Sequence, residues 1–157
     1  MRTLRLCMLP VALTGGLSSA ALAAEGSLSH SELQALLNQA DQYGFSHYEE
    51  ISVEDNTHLE IDGWRDDGWQ LDLELLIEDG SVTHEWQRKS QIPDWSLTGD
   101  EVRQALTNAR EAGMQRFEQL DVDERGHIEI EGYTTQNREV ELRLNRDGLS
   151  VTGVEND

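Results

Sequence analysis

The sequence predicts an α+β protein built from two repeated modules, each one N-terminal helix packed on a three- to four-stranded antiparallel meander. Three observations predict it: the chain matches itself at one constant offset, a capped amphipathic segment heads each copy, and the periodicity changes from helical to alternating after a glycine.

Shifted by 69 residues, Leu28 falls on Leu97, Glu32 on Glu101, Leu37 on Leu106, Ala40 on Ala109 and Gly44 on Gly113. The same shift carries Val53 onto Val122, His58 onto His127, Gly63 onto Gly132 and Leu73 onto Leu142. A one-residue adjustment near Asp79-Gly80 and Asp147-Gly148 then aligns Ser81-Val82-Thr83 with Ser150-Val151-Thr152. Coincidence does not hold one register that long. The reading gives modules at 28–86 and 97–154, with a linker at 87–96 containing Pro93.

Each copy opens with a helix. Ser29 with Glu32, and Thr98 with Glu101, are S/T-x-x-E capping boxes that satisfy the free amides of a first turn. Leu33, Leu36, Leu37 and Ala40 form one apolar stripe, and Val102, Ala105, Leu106 and Ala109 form its counterpart. Gly44 and Gly113 supply the left-handed residue that ends a helix. Beyond them apolar residues alternate with polar ones at Ile51 and Val53, at Leu59 and Ile61, and through Trp69, Leu71, Leu73 and Leu75. The second copy repeats this at Leu120 and Val122, Ile128 and Ile130, and Val140, Leu142 and Leu144. Short turns at Asp55-Asn56, Asp66-Asp67-Gly68 and Asp79-Gly80, and at Arg125-Gly126, Gln136-Asn137 and Asp147-Gly148, make neighbouring strands antiparallel. A module of about 60 residues has a marginal core alone, so the copies are expected to pack together.

A capped helix with Leu, Glu and Ala on its face, a glycine terminator, alternating antiparallel strands and an Asp-Gly turn before the last strand together resemble the PepSY domain, over each copy and so over nearly the whole chain after residue 27. That family occurs in propeptides of thermolysin-like metallopeptidases and in small exported bacterial proteins. The resemblance implies a non-catalytic binding or peptidase-modulating module, and it carries over no catalytic residue.

Residues 1–23 read as a secretory signal peptide: a basic start at Arg2 and Arg5, an apolar run from Leu6 to Leu22, and the cleavage signal Ala21-Leu22-Ala23. Cys7 leaves with it, so the mature chain has no thiol and therefore no disulfide, thiolate metal site or cysteine nucleophile. The expected location is periplasmic or secreted, with no stable membrane insertion after cleavage. The whole chain carries 12 Lys+Arg against 31 Asp+Glu, a formal charge of −19. Without Arg2 and Arg5 the mature charge is −21. Such a polyanion repels phosphate backbones and anionic membranes, which argues against nucleic-acid partners. Acidic excess with Lys89 as the only lysine also resembles proteins adapted to salty surroundings, with arginine-biased coding as an equal explanation of the missing lysine.

Several fragments imitate chemical motifs. Asp121 to Gly132 begins like a calcium-binding EF-hand loop, but Arg125 stands at its fifth position and Gly132 where the bidentate glutamate belongs, so the stretch reads as a strand–turn–strand. His84-Glu85 suggests H-E-x-x-H, yet Arg88 occupies the second histidine's place and the segment reads as a strand. Gly16-Leu17-Ser18-Ser19 resembles a nucleophile elbow but lies in the signal. No catalytic residue, cofactor or metal ligand set is assigned.

His58 and His127 share one repeat position and read either as a facing pair or as outward residues at strand starts. Glu60 and Asp62, Asp72 and Glu74, Glu129 and Glu131, and Glu139 and Glu141 fall opposite the apolar phase and make the outer sheet faces acidic. A cation or basic partner would relieve that charge, the alternative being a solvated face. Trp64, Trp86 and Trp95 with Arg88 and Lys89 form the candidate partner-binding set, combining large aromatic area with the only adjacent basic pair of the mature chain. The alternative places Trp69 in the core and Trp86 and Trp95 in the seam between copies. The expected function is binding of an exported protein or peptide, such as a peptidase to be modulated. Divalent-cation binding or a structural role is the alternative.

Overall fold

The computed structural model describes residues 26–156; the expected signal peptide, with Cys7 and the Gly16–Ser19 stretch, lies outside them. The chain runs β1 (Leu28–Ser29), α1 (His30–Ala40), a 3-10 turn (Asp41–Tyr43), β2 (Phe45–Glu54), β3 (His58–Arg65), β4 (Trp69–Leu76) and β5 (Val82–Lys89). It continues through β6 (Leu97–Thr98), α2 (Gly99–Glu111), β7 (Met114–Val122), β8 (Ile128–Thr134), β9 (Glu139–Leu144) and β10 (Val151–Asn156).

Local chemistry places these elements. The Ser29 hydroxyl accepts the Glu32 N–H at 3.3 Å while the Ser29 N–H donates to the Glu32 carboxylate at 2.8 Å. Thr98 and Glu101 repeat both bonds at 3.3 and 2.8 Å. Each helix buries the four-residue stripe its periodicity predicts. Between β2 and β3, Asp55 and Asn56 take φ of 50° and 60°, the paired left-handed geometry of a tight hairpin turn that asparagine and aspartate tolerate.

The assembly corrects the expected fold class. There are not two helix-plus-meander modules, each with its own sheet. Among the described residues ten strands form one antiparallel sheet in the order β10-β9-β8-β7-β2-β3-β4-β5, with β1 paired to β7 and β6 paired to β2. The halves join where Glu50, Ile51 and Ser52 of β2 lie opposite Asp121, Leu120 and Gln119 of β7. The short strands also cross over, with Leu28 beside Phe117 and Leu97 beside Tyr48. The 69-residue offset relates the two halves of a single sheet: it exchanges these two crossover contacts, and Ile51 and Leu120, its own counterparts, sit side by side at the junction. The physical reason is burial. One short helix cannot cover a four-stranded apolar face, whereas the merged sheet and both helices share one core running through Ile51, Ile61, Leu73, Leu120, Ile130 and Leu142. β5 also extends to Lys89, three residues past the expected end of the first module at 86.

β2 shifts register against β3 between Tyr48 and Glu50, and β7 shifts against β8 between Phe117 and Gln119. Gly63 and Gly132 lie opposite these bulges, where an added Cβ would run into the carbonyl oxygens of His47 and Arg116 respectively. The bulged strands approach too closely for any side chain.

Candidate functional site

Both helices pack on one face of the sheet, and the polar phase of the strands forms the other. Strand register fixes how the acids line up there. Asp72 lies opposite Asp62, Asp62 opposite Glu50, Glu50 opposite Asp121, and Asp121 opposite Glu129. This gives five consecutive carboxylates across β4, β3, β2, β7 and β8, closed by Trp86 of β5 at one end and Arg143 of β9 at the other. The next rung holds Glu74, Glu60, Ser52, Gln119, Glu131 and Glu141. At the junction Gln119 donates to Glu50 at 2.9 Å.

Like charges directly opposite one another are unfavourable, and burial compounds it. Desolvation, then the neighbouring Asp72, Glu60, Glu49 and Glu50, push the Asp62 carboxyl up to about 7. Glu50, Glu60 and Asp121 are raised from their ordinary values for the same first reason, with the acids beside them adding to it. Oxygens of Glu60, Asp62 and Asp72 lie within 4.8 Å of one another, and Asp72 Oδ1 is buried without a hydrogen-bond donor. This cluster was not legible in the sequence, because which acids become neighbours depends on register rather than on spacing. Its chemistry is that of hard oxygen ligands, or of a protonated carboxyl beside an ionised one.

The candidate partner-binding residues separate. Trp86 is exposed at 45%, on the acidic face beside Asp72, with the Arg88 guanidinium 5.5 Å from its ring. Arg88 bonds Gln70 at 2.9 Å, and Lys89 reaches the Asp67 carbonyl at 3.0 Å while lying over the Trp69 ring at 4.6 Å. Trp64 is buried, its ring edge-on to half-buried Trp95 at 5.6 Å and its indole N–H without an acceptor. The five residues therefore do not form one surface. Trp86, Arg88 and Lys89 are exposed on β5, while Trp64 and Trp95 pack together. Trp86 does not fill a seam between copies.

The histidines do not meet as a pair of ligands. His58 bonds Thr57 of its own turn at 2.9 Å, and His127 bonds Asp123 at 2.9 Å. Asp123 also accepts the N–H groups of Arg125 and His127, closing the β7–β8 hairpin where the sequence imitates a calcium loop. His84-Glu85 lies within β5. A groove of about 540 Å³ between the β7–β8 turn and the end of β9 is lined by Arg125, His127, Arg143 and Arg146. Two of its arginines are paired, Arg143 with Glu129, Glu141 and Glu155 and Arg146 with Glu101, while Arg146 Nη1 is buried without an acceptor.

No family model matches the chain. No curated protein sequence matches it. Among solved structures, the crystal structure of a candidate lipoprotein from Clostridium difficile 630 is similar with a TM-score of 0.41 and 12% identity, covering 83% of this chain and 93% of that one. No helix among the described residues is long and apolar enough to cross a membrane.

Proposed function

We propose that this is an exported, non-catalytic binding protein whose acidic sheet face receives a Lys/Arg-rich segment of a protein or peptide, with Trp86 as an aromatic anchor at the end of the carboxylate row. The observation that carries the reading is that row: five acids directly opposite one another on five adjacent strands, three of them raised by burial and mutual repulsion. A cationic partner would turn that repulsion into attraction, and the exposed ring supplies the apolar contact on which interface affinity concentrates. Export rests on the basic start, apolar run and Ala21-Leu22-Ala23 of the leader. Modulation of a peptidase, which the PepSY resemblance implies, is one form such binding would take.

Calorimetric titration with a Lys/Arg-rich peptide at physiological salt tests it. Saturable one-to-one binding, lost in an Asp62→Asn, Asp121→Asn, Glu50→Gln triple variant, is expected. Equal binding by that variant, or hydrolase turnover abolished by one of these substitutions, would overturn the reading.

A second reading has its own observation, the Glu60, Asp62 and Asp72 oxygens gathered within 4.8 Å. Here the ligand is a divalent cation held by hard oxygens. Calcium titration separates the two: a stoichiometric heat that survives moderate salt and is lost in Asp72→Asn supports the cation, whereas heat abolished by salt reports diffuse attraction alone.

A further inference from the structure

We propose that β5 is a self-association edge, through which two copies of the chain pair antiparallel about Gln87 and continue one sheet into the other. The pairing rests on the backbone of the sheet's edge, and it shares Trp86 with the proposed binding face.

β5 ends the strand order, and among the described residues only β4 pairs with it. Thr83 to Lys89 are exposed throughout. From Trp69 opposite Lys89 to Glu74 opposite His84 the register with β4 is unbroken, and β5 contains no proline. β10, at the other end of the sheet, is shorter and bulged between Val151 and Gly153. The Ser90 N–H donates to the Gly68 carbonyl at 3.1 Å. Because hydrogen-bonded pairs alternate along an antiparallel ladder, Arg88, Trp86 and His84 turn their backbone groups towards β4, and Glu85, Gln87 and Lys89 turn theirs to the free edge. Edge strands with open backbone groups are templates for a further strand unless charge or shape forbids it.

Charge selects the partner. Centred on Gln87, a two-fold pairing sets Glu85 opposite Lys89 of the second copy and Trp86 opposite its Arg88, and symmetry makes each contact twice. Opposed residues stay on the same face, as an antiparallel ladder requires. Centring on Trp86 instead would set His84 opposite Arg88 and leave Glu85 facing Gln87, with no ion pair. The ion pairs that protect β5 against arbitrary strands thus complement a second β5. An Arg88 guanidinium already lies 5.5 Å from a Trp86 ring within one chain, a contact that carries over between copies.

Sedimentation equilibrium of the purified protein over a wide concentration range tests this. A reversible monomer–dimer equilibrium is expected. Glu85→Lys alone and Lys89→Glu alone each replace two attractive pairs with two repulsive ones and should weaken association about tenfold or more. Combined in one chain, they restore the pairing and should recover the wild-type constant to within about threefold. Gln87→Pro deletes the central outward N–H without touching the ladder to β4, and should leave a monomer whose thermal midpoint no longer rises with protein concentration. A wild-type protein monomeric at every concentration, a double variant as weak as the singles, or a dimer that survives Gln87→Pro would overturn the proposal.

Discussion

The two halves of the sheet carry acids at corresponding positions and differ in how they neutralise them. On β7–β10, Arg143 binds Glu129 at 3.2 Å, Glu141 at 2.8 Å and Glu155 at 2.8 Å, tying three strands together. Sixty-nine residues earlier the same position is Glu74, which faces Glu60 where Arg143 faces Glu129. Instead of one guanidinium bridging three carboxylates, the first half has a further carboxylate, and Glu74 is among the groups that raise Glu60. The exposed tryptophan also stands on the first half alone, with Trp86 at the end of its carboxylate row. Arg143 thus neutralises acids of β8, β9 and β10, although Glu131 beside them is still raised by burial and then by Glu141, Glu118, Glu139 and Glu129, whereas the matching position of β4 adds a further carboxylate, and there a cationic partner of the proposed kind would gain most.

The largest effect belongs to what the halves share. Leu73 and Leu142 are fully buried counterparts in one core, so either change to alanine should cost about 2–5 kcal/mol. Because the core is continuous, both variants should melt in one transition. A two-step melt in either, with the other half unfolding separately, would mean the halves are independent after all. Next come the bulge glycines: Gly63→Ala and Gly132→Ala each force a Cβ into backbone and should cost about 1–3 kcal/mol, measured by denaturant midpoint.

Smaller effects test the difference between halves. Glu74→Arg should raise the thermal midpoint at neutral pH and Arg143→Glu should lower it, each by no more than about 1 kcal/mol at these solvent-accessible sites. A pH effect at Asp62 tests the strain on the first half directly. Its folded carboxyl is pushed from 3.8 up to about 7, so the folded state holds that proton more tightly than the unfolded chain does. Stability from this group is therefore lost progressively as pH rises from about 4 to about 7. Glu32 acts in the opposite sense: the Ser29 hydroxyl and N–H lower its carboxyl, so its contribution is present above 4.5 and lost as the solution becomes more acid. Asp62→Asn should raise the thermal midpoint at pH 8, with the gain fading towards pH 5. A gain independent of pH would mean that Asp62 is not strained by its neighbours.

What could be read in the sequence was local. Both capping boxes, both apolar stripes and the alternation of the strands depend on residues a few positions apart, and the structure places them accordingly. The architecture depended on pairings across the duplication. Nothing in a period of two says that Ile51 will lie beside Leu120, or that β1 and β6 will cross to the opposite half. The bulge at Tyr48 to Glu50 inserts a residue that alternation cannot reveal, and it decides that Glu50 faces Asp62. The acidic phase of β3 and β4 was visible, but the gathering of Glu60, Asp62 and Asp72 was not. The aromatic set failed as a single surface for a related reason: Trp64 and Trp95 found each other, and Trp86 was left on an edge strand that no element covers.

If unbalanced negative charge on the first half recruits a cationic segment, the position that distinguishes the halves should control binding. Titration of one Lys/Arg-rich peptide into wild type, Glu74→Arg and Arg143→Glu should be compared at physiological salt. Binding should weaken about tenfold in Glu74→Arg, which gives the first half the guanidinium of the second, and stay undiminished in Arg143→Glu. Equal affinity for wild type and Glu74→Arg, or loss of binding only in Arg143→Glu, would contradict it.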